Sequence, residues 1–142
     1  MIRWTVDASV AVKWFIPEAL SGEAAVWLEG DPEIFVPELF FAEIPSVLWK
    51  KVVRRELSET EARTAHRRIG ELSYRVVSDR AVAPAALDLA FTLRRSAYDC
   101  IYLAVAAAFE APLVTADRNL SNAILATSLA RRVRWIGEDP RG

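Results

Sequence analysis

Four acidic residues, far apart along the chain, are of a type and in positions that could hold a divalent cation. They are Asp7, Glu43, Asp99 and Asp117. Asp7 ends an apolar, β-branched stretch, and Asp117 follows another after one intervening residue. Two carboxylates about 4 Å apart repel by about 1 kcal/mol in water and about 4 kcal/mol at an effective dielectric constant of 20. A cluster of four would therefore take up protons or bind a cation.

The ligand types indicate which cation and which reaction. Carboxylate oxygens without His or Cys suit Mg²⁺ or Mn²⁺ rather than Zn²⁺ or copper. Such an ion lowers the pKa of a bound water, neutralises phosphate charge and stabilises a leaving oxygen, which predicts hydrolysis of a phosphodiester. We expect the nearby polar side chains of Ser9, Thr115 and Asn119 to orient waters or ligands at the site.

The elements that would position these side chains are short apolar strands alternating with longer helical stretches. The predicted strands are 2–6, 34–36, 74–77, 113–115 and 133–136, and the predicted helices are 8–15, 21–28, 38–55, 58–69, 84–93 (with a start near 81), 96–109 and 120–129. This order predicts an α/β/α sandwich around a mostly parallel sheet. Ligands of such sheets bind beyond the carboxyl ends of the strands, so all four acidic side chains should face one rim.

Each acidic residue also has a simpler interpretation. Asp7 and Asp117 could be helix N-caps, Ser96 and Asp99 have the spacing of a capping box, and Glu43 could be a solvated helix residue. Helix dipoles at such caps offset only part of the mutual repulsion of a cluster. The metal site is therefore favoured for the set rather than for any single member.

Composition limits the class of protein. A chain of 142 residues that is 53% hydrophobic and 26% charged predicts one folded domain over residues 1–142. One cysteine, Cys100, excludes a disulfide scaffold and a cysteine zinc cluster and predicts a core position, while His66 is predicted to lie at the surface. No apolar run approaches the ~20 residues of a membrane span, and no secretory signal is visible, so we expect a soluble, cytoplasmic protein.

The charge and the aromatic residues have less specific interpretations. A formal net charge of −1 argues mildly against a non-specific nucleic-acid coat. Paired arginines are interpreted as solvated helix ends or as a basic rim around the acidic site, and they lie at 54–55, 67–68, 94–95 and 131–132. Core or interface positions are predicted for Trp4, Trp14, Trp27 and Trp49, and exposed apolar positions for Trp14, Phe15, Phe40 and Phe41.

Four segments resemble the PIN-domain ribonucleases, specifically the VapC toxins of toxin–antitoxin pairs. The segments are 6–15 (VDASVAVKWF), 42–44 (AEI), 98–104 (YDCIYLA) and 113–120 (LVTADRNL). They occur in the family's order and approximate spacing, and the resemblance extends over essentially the whole chain. No single segment is decisive, whereas the set of four is fairly specific.

The resemblance implies a PIN-like three-layer α/β/α sandwich around a mostly parallel, about five-stranded sheet. It implies an endoribonuclease that uses Mg²⁺ or Mn²⁺, with Asp7, Asp99 and Asp117 as metal ligands and Glu43 as a further catalytic residue. Ser9 or Thr115 would support that site. It also implies a homodimer, held inactive by a VapB-like antitoxin whose C-terminal segment covers the active-site groove.

One position departs from the family pattern. The family often has Asn three residues after the helix Glu, where this chain has Ser46, preceded by Pro45. Ser46 is a shorter polar group, and Pro45 is expected to bend the helix, which puts a further contact to the metal's surroundings in question.

Two other functions remain as alternatives from the sequence. A non-catalytic PIN-like binding module would keep the fold and bind a partner without turnover. A receiver-like phosphoacceptor domain is also a doubly wound sheet with acidic residues and Mg²⁺, but it needs adjacent acidic residues after strand one and a Lys after the last strand. This chain has Asp7-Ala8 and Gly137-Glu138 at those places.

Overall fold

Five parallel strands form one sheet at the centre of the computed structural model, which describes residues 2–142. The strands are β1 (Arg3–Val6), β2 (Glu33–Pro37), β3 (Arg75–Val77), β4 (Leu113–Thr115) and β5 (Val133–Trp135). The helices are α1 (Ala8–Lys13), α2 (Ser21–Val26), α3 (Phe40–Val53), α4 (Glu59–Gly70), α5 (Asp79–Leu93), α6 (Ala97–Phe109) and α7 (Arg118–Leu125), with a 3₁₀ turn at Ala130–Arg132. The predicted order of strands and helices is confirmed.

The strand order is β3-β2-β1-β4-β5. From β1, the strands β2 and β3 extend the sheet on one side, and β4 and β5 extend it on the other. The topological switch point therefore lies between β1 and β4. A receiver-like sheet would have the order 2-1-3-4-5, so that alternative is wrong for this fold. The switch point lies between the ends of the two strands that precede Asp7 and Asp117.

Both faces of the sheet are covered, as the predicted three-layer sandwich requires. On one face, Trp4, Val6 and Val36 belong to a large apolar cluster with α1, α3, α4 and α7. On the opposite face, Phe35 packs in a smaller cluster with α5 and part of α6. Strand residues alternate between faces, and because both faces are apolar the strands read as continuous hydrophobic runs.

Several predicted helix limits are shifted by capping. Helix α5 begins at Asp79 rather than near 81–84, because the Ser78 hydroxyl accepts a hydrogen bond from the Ala81 amide and caps the helix earlier. Helix α7 begins at Arg118, because Asp117 caps it, and ends at Leu125. Helix α3 runs without interruption through Pro45. The capping box predicted at the start of α4 is present.

Side-chain burial corrects one of the aromatic predictions. Phe40 is fully buried rather than exposed, because it belongs to the large apolar cluster on one face of the sheet. Of the tryptophans predicted at core or interface positions, Trp4 and Trp27 are buried and pack edge-to-face, while Trp49 is 64% exposed, which leaves only the interface position for it. Cys100 is buried and His66 exposed, as predicted. Within residues 2–142, no helix has the length and apolar character that crossing a membrane requires.

Candidate active site

Asp7 follows β1 directly and caps helix α1. Its Oδ1 accepts hydrogen bonds from the Val10 amide at 3.0 Å and from the Ser9 hydroxyl at 2.8 Å. Both interactions fix the carboxylate, since an N-cap side chain must turn back toward the first helical turn. The capping role and the functional role are therefore compatible: the cap determines where the carboxylate points.

Glu43 and Asp99 lie on two different helices and line the same cleft. Glu43 lies in the first turn of α3, and Asp99 lies in the first turn of α6, whose N-cap Ser96 accepts from the Asp99 amide at 3.2 Å. Together with Asp7 they line a cleft of about 120 Å³. The remaining lining residues are Ala8, Ser9, Val47 and Tyr102. The structure thus brings three of the four acidic residues into one cleft.

The carboxylates in this cleft affect one another. Burial, with smaller contributions from the charges of Glu43 and Asp99, raises the pKa of Asp7 from its ordinary 3.8 to about 6, against the hydrogen bonds from Val10 and Ser9, which lower it. A perturbed acid in a cleft is what functional sites commonly contain.

Asp117 lies beside this cleft and does not line it. Its Oδ1 accepts from the Leu120 amide at 3.0 Å, so it caps α7, and its own amide donates to Thr115 Oγ1 at 3.0 Å. Its other oxygen, Oδ2, is 3.3 Å from Nη2 of Arg95. The same nitrogen is 3.5 Å from Oδ2 of Asp99, so Arg95 links Asp117 to the edge of the cleft.

The predicted supporting residues are placed differently from one another. Ser9 contacts Asp7, and Thr115 is fully buried beneath Asp117. Asn119 and Ser46 are exposed, and neither side chain makes a hydrogen bond within residues 2–142. Their roles in a metal site therefore remain predictions.

Two residues of the site were not singled out in the sequence: Tyr102, and Arg95, which was covered only by the interpretation of the arginine pairs as a basic rim. The hydroxyl of Tyr102 donates to Glu43 Oε1 at 2.5 Å, a separation typical of charge-assisted hydrogen bonds. Tyr102 is buried, and burial together with this bond raises its pKa, which keeps the hydroxyl protonated. Tyr102 lies three residues after Asp99, a spacing that places both side chains on one face of a helix, and this was the available signal for Tyr102. Arg95 lies four residues before Asp99.

We expect Tyr102→Phe to weaken both the fold and the site. The substitution removes the donor to Glu43 while leaving the ring in place, which should lower the free energy of unfolding by about 1–2 kcal/mol. The phosphodiester hydrolysis expected from the sequence should fall about tenfold, because Glu43 loses the contact that orients it. Urea unfolding and initial rates of hydrolysis measure the two effects.

The matched control is Tyr98→Phe, since Tyr98 is 63% exposed and its hydroxyl makes no hydrogen bond in the described chain. This control should behave as the wild type does. Equal rates and stabilities for Tyr102→Phe and the wild type would show that the Glu43 contact contributes nothing.

Comparisons with known proteins agree with this arrangement. A family model described as the PIN domain matches residues 5–124 of the chain. The sequence is 31% identical over 130 residues to Ribonuclease VapC1 of Mycobacterium tuberculosis, covering 87% of this chain and 92% of that protein. It is 30% identical over 122 residues to Ribonuclease VapC3 of Pyrobaculum aerophilum, covering 84% of this chain and 93% of that protein.

A solved structure has the same fold. The crystal structure of PAE2754 from Pyrobaculum aerophilum superposes with a TM-score of 0.69 over 95% of this chain and 84% of that one. The two sequences are 23% identical, so this likeness bears on the fold alone.

Proposed function

Because this chain belongs to the PIN-domain family, as a ribonuclease of the VapC type, we propose that the acidic cleft is its active site and that a divalent cation bound there promotes hydrolysis of RNA phosphodiesters. The observation that carries the proposal is the convergence of Asp7, Glu43 and Asp99 on one cleft beside the switch point of the sheet. Residues 1–142 are taken as one PIN-like domain.

The donor set fits Mg²⁺ or Mn²⁺. The acidic lining is carboxylate only, and no three His, Cys, Asp or Glu side chains among residues 2–142 already surround a common point. Mg²⁺ keeps several waters and needs only one or two direct carboxylates, so the open arrangement suits it. Burial raises the pKa of Asp7 because its ionised carboxylate is poorly solvated there, and a bound cation would stabilise that ionised form.

Each residue of the site has an assigned task. Asp7 and Asp99 would hold the ion, Asp117 at the edge of the cleft would be a further ligand or the anchor of a second ion, and Glu43 would bind through water or orient the attacking water. A bound divalent cation supplies a more acidic water and neutralises phosphate charge. Tyr102 holds Glu43 in place, Ser9 holds Asp7, and Thr115 holds the backbone of Asp117.

We also propose a VapB-like antitoxin as a partner, a homodimer, and a cytoplasmic location. An open, largely apolar groove of about 460 Å³ between α3 and α4 supports a protein partner. Leu48, Trp49 and Val52 line it, and the exposed indole of Trp49 is the kind of aromatic anchor that interfaces use. The groove lies on the helix that carries Glu43, so a partner seated there would be close to the cleft.

The test is cleavage of total and structured RNA by the purified, antitoxin-free protein. We expect cleavage with Mg²⁺ or Mn²⁺, no cleavage in EDTA, and recovery when the ion is returned. Asp99→Asn should be folded by circular dichroism and inactive. Cleavage that persists in EDTA would contradict the proposed metal dependence. A folded wild type that binds Mn²⁺ but cuts no RNA would favour the non-catalytic binding module.

A further inference from the structure

Arg95 lies between two carboxylates of the proposed active site. It precedes the N-cap of α6, and its Nη2 atom is 3.5 Å from Asp99 Oδ2 and 3.3 Å from Asp117 Oδ2. One nitrogen therefore contacts acidic residues of two helices, Asp99 in the first turn of α6 and Asp117 at the N-cap of α7. The Arg95 side chain is 25% exposed, while those of Asp99 and Asp117 are 41% and 49% exposed.

Hydrogen bonding accounts for only part of this placement, because Nη2 donates to Asp117 Oδ2 while another donor of the same guanidinium is left without a partner among residues 2–142. The Nε atom of Arg95 is buried without a hydrogen-bond partner in the described part of the chain. Leaving a buried donor unpaired destabilises the fold, and the two contacts made by Nη2 are long for charge-assisted bonds. The two neighbouring carboxylates therefore interact mainly with the positive charge of Arg95.

The charge is needed because of the other carboxylates nearby. Asp7, Glu43 and Asp99 line one cleft, and Arg95 joins Asp99 to Asp117, so the four carboxylates form one acidic region. A cation near Asp99 and Asp117 relieves their repulsion, and nucleases can meet such a need with a second divalent ion. In this protein the guanidinium of Arg95 already lies between Asp99 and Asp117.

We propose that Arg95 is a positioning residue that takes the place of a second metal ion. It holds Asp117 beside Asp99 and keeps a divalent cation from binding between them, so that the cleft formed by Asp7, Glu43 and Asp99 binds a single ion. The inference rests on the proposed metal-dependent function. On this proposal, the number of divalent ions that the protein binds depends on the side chain at position 95.

The test is the number of Mn²⁺ ions bound per chain, measured by electron paramagnetic resonance of free Mn²⁺ at pH 7.5. The wild type should bind one ion. Arg95→Ala and the closer-sized Arg95→Gln should each bind a second ion, while Arg95→Lys, which keeps the charge, should bind one. The double variant Arg95→Gln/Asp117→Asn should lose the added ion, and circular dichroism verifies folding of each.

The outcomes separate this inference from the proposed function. Two ions in the wild type, or one ion in both neutral variants when folded, would overturn the role of Arg95 while leaving RNA cleavage to be judged by itself. If the number of bound ions changes as expected but the protein cuts no RNA, the role of Arg95 is supported and the proposed ribonuclease activity is wrong. No Mn²⁺ binding to wild type or variants would overturn both.

Discussion

Asp7→Asn should reduce RNA cleavage by about 10³-fold or more while leaving the fold intact, a loss of about 4 kcal/mol in transition-state stabilisation. The amide oxygen of Asn can still accept from Val10 and Ser9, so the cap of α1 is retained. What is lost is the negative charge at the centre of the cleft, and with it the proposed hold on the cation.

Initial rates with saturating Mg²⁺ measure this loss, and the control is Asp88→Asn. Asp88 is exposed on α5, and its side chain makes no hydrogen bond or ion pair within residues 2–142, so its variant should cleave at the wild-type rate. An Asp7→Asn protein that is folded and cleaves as fast as the wild type would remove Asp7 from the mechanism.

The metal-free protein should become less stable, relative to Asp7→Asn, as the pH rises from about 4 to above 6. The folded-state pKa of Asp7 is raised to about 6 from an ordinary 3.8, so between these values the folded state binds more protons than the unfolded state. Stability therefore falls with rising pH in this window and is lowest once Asp7 is ionised. Two pH units correspond to at most about 3 kcal/mol.

Urea unfolding in EDTA across pH 4–7.5 measures the effect, and the difference between the two proteins isolates Asp7. This matters because Glu33 and Asp139 have lowered pKa values and contribute changes of the opposite sign at lower pH, in both proteins alike. The two proteins should have similar stability near pH 4, and Asp7→Asn should be about 2–3 kcal/mol more stable at pH 7.5. A constant difference across the range would contradict the raised pKa.

Divalent cations should reverse this loss of stability. An ion that binds only the folded state stabilises it by about 2.7 kcal/mol at one hundred times its dissociation constant. Adding Mn²⁺ at pH 7.5 should therefore stabilise the wild type and have little effect on Asp7→Asn. The site would then be one in which stability is given up for function in the absence of its ion.

The sequence was informative where local patterns reflect the fold. Alternating strands and helices predicted the element order. The prediction that four acids face one rim follows from the shared edge of the carboxyl ends of parallel strands: Asp7, Glu43 and Asp99 line one cleft, whereas Asp117 lies beside it. The polar cap residues were also readable, because capping depends on a few neighbouring positions.

Features that depend on distant contacts were not readable in this way. Phe40 and Phe41 were both predicted to be exposed, and both pack against Tyr74, but only Phe40 belongs to the buried apolar cluster. For the pair that contains Arg95, a solvated helix end and a basic rim around the acidic site were both open, since nothing local indicates that Asp117 lies beside it. The side chain of Tyr102 likewise acquires its partner, Glu43, from another helix.

The pairing of β1 with β4 has a consequence for how the protein is made. Asp7 and Asp117 are 110 residues apart in sequence, yet they follow adjacent strands. A ribosome that adds about 5–20 residues per second needs roughly 5–20 s to pass from one to the other. Throughout that interval the nascent chain lacks β4, the strand that flanks β1 on the side of the switch point, so an incomplete copy released early would have neither Asp117 nor the completed sheet edge beside the cleft.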